Sequence, residues 1–533
     1  MRTISYYLLV LIATIGIFSQ RAMAGPWIVT KNSWTAEDEK NYSVFIEQLG
    51  NSRCNTIERC LKGAANPYRG SDDPNADFWT DCAKFPYLLR AYFAWKNGLP
   101  FSFVSSVKSA AGGDTNLRYS KEGNIVTSRR IVAPRQEQEV DGMRALNIIQ
   151  NQVSSAMFRI HPRRDSVVTG KFQDFYSVHI DRRQIRPGTI IYDPAGHVAV
   201  VYKIETDGRI RYIDAHPDST ISRSVYGDKF ARARPGSGAG FKNFRSLKLV
   251  NDTVSADSLH ETAGYSEEQY FGTETGGATL PDESWRRARF VIGGNAFSFQ
   301  DFVRVRLAVG ILKFRPLEEL KNGMESLCGD IRDRVTAVDT ALASGLQHAP
   351  HPERLPLNIY GSSGPWEEFA SPSRDARLKA GFVELRRRVT QMLEMYRRGD
   401  SRIEYSGRNL LADLGAVYQE TAQACTVSYR RSDGSSVRLG YDEVVKRLFA
   451  LSFDPYHCAE RRWGGRSSEE LATCVGDSFE KQAWYRAEQR LRNQIERTYD
   501  IRMDFSLADL ERRAPGSGID QAPSVDLRTL FRE

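Results

Sequence analysis

The sequence predicts an α+β domain over residues 25–250 and a mostly α-helical domain over 286–513, joined by a polar linker over 251–285. Three observations carry this expectation. Arg186 to Ser219, "RPGTIIYDPAGHVAVVYKIETDGRIRYIDAHPDS", holds short apolar runs separated by turn residues, as antiparallel strands do. Asp77 to Phe101, "DFWTDCAKFPYLLRAYFAWKNGLPF", places apolar residues at helical spacing in the same half of the chain. Beyond residue 286 the apolar pattern is mostly helical, whereas residues 251–285 are rich in Gly, Ser, Thr and Glu and carry neither period.

The elements follow in order. Arg2, an apolar run from Tyr6 to Phe18 and the small-x-small site Ala22-Met23-Ala24 read as a signal peptide over residues 1–24. A mature, exported, soluble chain would then start near Gly25, in the periplasm or outside the cell. No later stretch is long and apolar enough for a transmembrane segment. In the next marked element, Phe85, Leu88, Leu89, Tyr92 and Phe93 form the stripe of a half-buried helix. Thr80 or Asp81 can cap its start, Gly98 and Pro100 end it, and Pro86 weakens its first full turn. Cys82 therefore falls at a helix N-terminus, where the dipole is expected to lower a thiol's pKa. Thr189–Tyr192 reads as a strand and Asp193–Gly196 as a turn. His197–Ile204 and Arg209–Ala215 then form a hairpin closed by Asp207-Gly208. Alternation puts His197, Ala199 and Val201 on one face, shared by Ile210, Tyr212, Asp214 and His216 if the loop has two residues. That register sets His197 nearer His216 or Asp218 than Asp214; a longer loop or a bulge would move the match.

Helical stripes then recur at Leu317, Leu320, Met324, Leu327, Ile331, Val335, Val338 and Leu342, at Phe382, Leu385, Val389, Met392 and Met395, and at Leu410, Leu414, Val417 and Tyr418. They read as a bundle core. The tail over 514–533, with "APGSGIDQAPSVD", is expected to be flexible.

Composition narrows the function classes. The formal charge of +8 includes Arg2 and Arg21 of the leader, so the mature chain is only mildly basic. No arginine-rich run interleaved with aromatics appears, so no nucleic acid is expected as partner. The eight histidines are scattered without ligand spacing and no glycine-rich phosphate loop is present, so neither metal nor other cofactor is expected. The seven cysteines are an odd number. In an oxidising compartment Cys54 and Cys60 can pair, as can Cys328 with Cys425 and Cys458 with Cys474, which leaves Cys82 as the free thiol.

An unpaired cysteine at a helix start, a later histidine at a strand start and a polar residue on the neighbouring strand are the order and placement that a cysteine hydrolase on a papain-like fold requires. "NPYRG" (Asn66 to Gly70) followed by Asp81-Cys82 resembles the approach to the catalytic helix of NlpC/P60 cell-wall peptidases. "RPGTIIYDPAGHVAVVY" resembles their strand pair, and its Gly-His-Val-Ala start also resembles the CHAP amidases. The resemblance implies an NlpC/P60-like domain over 25–250, with Cys82 as nucleophile, His197 as general base and Asp214 as the residue that orients it. It further places Tyr68 and Asp81 at the border of the substrate cleft and His216 at a further polar position. The sequence departs from the family at Ala83-Lys84, where Ser-Gly is usual, and at Thr189, where Asp is usual. The long Cys82–His197 separation implies an insertion around 103–180, either a lid or specificity wall or simple decoration.

The function expected is that of an exported cysteine peptidase or amidase cutting peptide or amide bonds, with peptidoglycan as its substrate. Two alternatives stand beside it. One is an inactive envelope-binding scaffold whose helical domain recruits a partner. The other is an acyltransferase or transglutaminase-like enzyme using the same triad.

Overall fold

The computed structural model describes residues 25–132, 140–164, 171–232, 234–250, 253–256, 264–274, 281–499 and 501–531. The leader expected over 1–24 lies outside the described residues.

A six-stranded antiparallel sheet organises the first half. Its strands are β1 (Phe175–Ser177), β2 (Ile190–Tyr192), β3 (Val198–Ile204), β4 (Ile210–Ala215), β5 (Ile221–Val225) and β6 (Gly240–Phe244), in the order β1-β6-β2-β3-β4-β5. Both faces are covered, which explains why β3 reads as an almost unbroken apolar run. Val198, Val200 and Ile213 pack on one side with helices α1 (Ala36–Asn51), α2 (Lys84–Lys96) and α3 (Gly142–Gln152). Ala199, Val201, Ile210 and Tyr212 pack on the other against Phe299, Phe302, Val303 and Leu307 of α4 (Phe299–Leu307). A separate apolar core joins α5 (Pro316–Ala343), α6 (Pro372–Arg397) and α7 (Leu410–Ala424), and all residues of the three predicted stripes except Met395 belong to it or pack against it. No described helix is long and apolar enough to cross a membrane.

Three disulfides form, Cys54–Cys60, Cys328–Cys425 and Cys458–Cys474, and Cys82 is the free cysteine. This set fits an oxidising compartment such as the periplasm or the extracellular space.

The segment expected to be an insertion, 103–180, is packed into the first half: Phe103, Val104, Leu146 and Ile149 share the core of α2, and β1 is an edge strand of the central sheet. Three expected boundaries are corrected by packing. The described parts of 251–285 are not a loose linker. Thr253–Ala256 pairs with Leu247–Val250, and the buried Tyr270 donates its hydroxyl to the Ala239 carbonyl at 2.6 Å. The helical region does not begin at 286, because residues up to Leu307 cover the sheet. It also contains a β-hairpin, Thr426–Arg430 with Ser436–Gly440. The tail is packed rather than flexible through residue 531: Val525 and Leu527 enter the helical core, and Arg386 bonds the Asp526 carbonyl. Polar composition hid the packing of the described parts of 251–285 and of the tail, where the few buried apolar residues, such as Tyr270 and Phe271 or Val525 and Leu527, are too sparse to set a period.

Candidate functional site

Cys82 sits in the turn that leads into α2. Asp81 closes the helix start: its Oδ1 accepts the N–H groups of Ala83 and Lys84, each at 2.9 Å, and its other oxygen pairs with the Lys84 ammonium. The Phe85 N–H bonds the Asp81 carbonyl at 2.9 Å, so Pro86, next in line, lacks the N–H that would bond the Cys82 carbonyl and weakens the first turn by that one bond, as expected.

His197 reaches the same place from the sheet. The turn before it needs Gly196, whose φ of +85° brings the chain so close to Tyr119 that an added Cβ would lie 3.0 Å from that ring. The Cys82 thiol donates to the Gly196 carbonyl, with sulfur and oxygen 3.9 Å apart, and the Val198 N–H lies near enough to lower the thiol's pKa. The two chain neighbours of His197 thus flank the sulfur.

The hairpin resolves the orienting partner. Its loop is one residue wider than a two-residue turn, with the Glu205 N–H bonded to the Arg209 carbonyl, and the ladder slips by one more between Val201 and Lys203. These two displacements move β4 so that Asp214 Oδ2 lies 2.6 Å from His197 Nε2. Asp214 Oδ1 accepts the Ser222 hydroxyl at 2.6 Å, and Ser222 is also 2.8 Å from His216 Nε2. His216 lies nearly parallel to the His197 ring, 5.9 Å between centres, and makes no hydrogen bond to it.

Electrostatics give the group a neutral resting state. Burial, then the charge of Asp81, pushes the Cys82 thiol up to about 12, against the Val198 N–H and Arg377. This reverses the lowered pKa expected from the helix end: Asp81 brings an anion to that end, and the surrounding cleft walls disfavour a second. Burial and the Arg377 charge bring His197 down to about 4, against its bond to Asp214. Burial alone would raise Asp214, yet the flanking His216 and His197 and the Arg377 charge outweigh it and hold the carboxyl far below the usual range. Burial, with Arg374, also puts His216 well below an ordinary histidine. An ionised Asp214 can only accept, so Nε2 carries the His197 proton and Nδ1 keeps a lone pair.

Cys82, His197, Asp81 and His216 line one cleft of about 410 Å³. Tyr68, expected at its border, does not: its ring packs on Phe45, Tyr92 and Phe93, and its hydroxyl meets Asn97 at the far end of α2. The Asn66 side chain fixes it there by bonding the Leu61 carbonyl and the Tyr92 hydroxyl and accepting the Tyr68 N–H. Thr189, in place of the expected Asp, is buried and donates to Asn243 Oδ1 at 2.7 Å.

No family model, curated protein or solved structure matches the chain. The site therefore stands on its own geometry.

Several cleft residues escaped the sequence reading. Tyr119 stacks on Tyr499 at 4.8 Å, and Arg118 pairs with Glu367 at 2.9 Å, so segments distant in sequence build the walls. Arg374 of α6 grips both oxygens of Asp218 at 2.9 Å, which docks the helical region beside the site. One turn on, Arg377 enters the cleft. Nothing local marks these residues; only the docking of α6 brings them in. Elsewhere, folding gathers His351, Asp454 and Glu488 with their ligand atoms within 4.8 Å of one another, although His351 Nε2 and Asp454 Oδ2 are already hydrogen-bonded at 2.9 Å.

Proposed function

We propose that this chain is a cysteine hydrolase of peptide or amide bonds, a diverged relative of the NlpC/P60 peptidases, acting on peptidoglycan stem peptides. The observation that supports it best is the arrangement at the cleft floor. The free cysteine at the start of α2 bonds the carbonyl of Gly196, the residue before His197, and His197 Nε2 is bonded to Asp214.

The neutral resting pair specifies how the chemistry would run. His197 Nδ1 takes the thiol proton as sulfur attacks the scissile carbonyl, so the thiolate forms only in the attack itself. The Cys82 backbone N–H helps to hold the oxyanion. The imidazolium, steadied by Asp214, then protonates the leaving amine as the C–N bond breaks, leaving a thioester. Water, losing a proton to His197, attacks that thioester and releases the acid and the free thiol.

Purified chain incubated with cell-wall stem peptides should release new amine and carboxyl ends, read by mass spectrometry. The Cys82→Ala variant should lose this activity while melting at the parent temperature. Cleavage by that variant at the parent rate would remove the proposal.

One observation favours a second reading, a binding protein with an idle triad: the thiol is pushed up to about 12. Acid quench during turnover separates the two, since a hydrolase accumulates a thioester on Cys82 and a binder does not.

A further inference from the structure

Charged side chains along the cleft are nearly all neutralised by partners within the protein. Lys84 is paired with Asp81, Arg118 with Glu367 and Arg374 with Asp218. Arg377 differs. It is only 9 % exposed and lines the cleft, yet its guanidinium has no hydrogen-bond or ion-pair partner among the described residues. Asp214 is near enough for its charge to act on Arg377 but makes no hydrogen bond or ion pair with it. A buried cation left unpaired is costly to keep, so such a group in a ligand-sized cleft marks where an anion docks.

The form of the site selects the anion. A guanidinium presents parallel N–H donors that match the two oxygens of a carboxylate. The cleft offers no second buried free cation among its described residues, and Asp81 already caps the nearby helix end. Ionised Asp214 already offsets part of the Arg377 charge, so a phosphate dianion would bring two charges that nothing nearby balances, whereas a carboxylate brings only one. Arg377 lies close enough to Cys82, His197 and Asp214 for its charge to act on all three. The carboxylate therefore belongs beside the reacting bond.

We propose that Arg377, contributed by the helical region, anchors a free carboxylate on the peptide bound in the cleft and so makes that region part of the substrate site. The scissile-bond part rests on the hydrolase reading; carboxylate capture does not. The test uses L-alanyl-γ-D-glutamyl-L-lysine and the same peptide with its glutamyl carboxylate converted to carboxamide. Wild-type protein should favour the carboxylate form in kcat/KM by roughly 10- to 100-fold, the range for one charge-assisted pair. In R377Q this ratio should fall toward unity, and in R377K to an intermediate value. A merely structural arginine would slow both peptides alike and leave the ratio in place, which would overturn the assignment, as would a wild-type ratio of one. Should R377Q fail to fold, R377K serves, and an unchanged ratio there overturns it. If neither peptide is cut, the hydrolase reading fails. Calorimetric binding of the same pair to the C82S and C82S/R377Q proteins then decides the anchor: a preference lost with Arg377 supports it, and equal or absent binding ends it.

Discussion

At the residue scale the site is governed by where charge can and cannot reside. Cys82 and His197 are both neutral at pH 7, because burial and Asp81 raise the thiol to about 12 while burial and Arg377 lower the imidazole to about 4. Reactivity should follow these values. Alkylation of Cys82 by iodoacetamide should be slow at pH 6–7 and rise steadily into alkaline solution, and hydrolysis should lose rate only as pH falls toward about 4. Rapid alkylation at pH 6 would mean a preformed thiolate and refute the neutral pair. The identity of the free thiol was legible from cysteine arithmetic, and the His197 position from its strand start. The direction of the thiol's pKa was not. A helix end lowers it only if the anion it stabilises is the sulfur, and here Asp81 already occupies those N–H groups.

The elements carry these residues by short-range rules that the chain spells out. Apolar spacing from Phe85 to Phe93 and the Asp81 cap make α2, and alternating apolar residues make the β3–β4 hairpin. The choice of Asp214 over His216 or Asp218 needed two displacements, one at the loop and one at the bulge, that no pattern of residue types announces. Packing on both sheet faces selects them by burying Val200 and Ile213 on one side and Val201 and Tyr212 on the other. Gly196 is the element-level weak point. Gly196→Ala forces a side chain into positive φ and against Tyr119. It should cost about 1–3 kcal/mol of stability, seen as a lowered melting temperature, and should reduce turnover further by displacing His197. A variant with parent melting temperature and rate would show that the turn is not what holds the histidine.

On the scale of the whole molecule, two regions close one cleft. Arg374–Asp218 and the Tyr119–Tyr499 stack tie α6 and the C-terminal part to the sheet half. The same burial makes the fold sensitive to acid. His197 and His457 are both held down to about 4 by burial, whereas an unfolded histidine titrates near about 6.5. The unfolded chain therefore takes up protons between these values that the native state refuses. The stability these groups contribute is complete above about pH 6.5 and is lost as pH falls toward about 4, by up to about 1.4 kcal/mol per pH unit for each. Urea midpoints should decline across that window; a flat profile would contradict two buried neutral histidines.

What the sequence by itself determined is everything that depends on neighbours along the chain: the helix that starts at Cys82, the hairpin that starts at His197, the amphipathic stripes of the helical core and the cysteine left without a partner. Tertiary structure alone decided which carboxylate meets His197, that Tyr68 turns away from the cleft, that the described parts of 251–285 and the 514–531 stretch pack, and that Arg377 lines the same cleft as Cys82. The reason is physical. Local periodicity records which face of an element is buried, whereas these outcomes depend on how elements dock, and docking is settled by a few contacts between residues far apart in the chain.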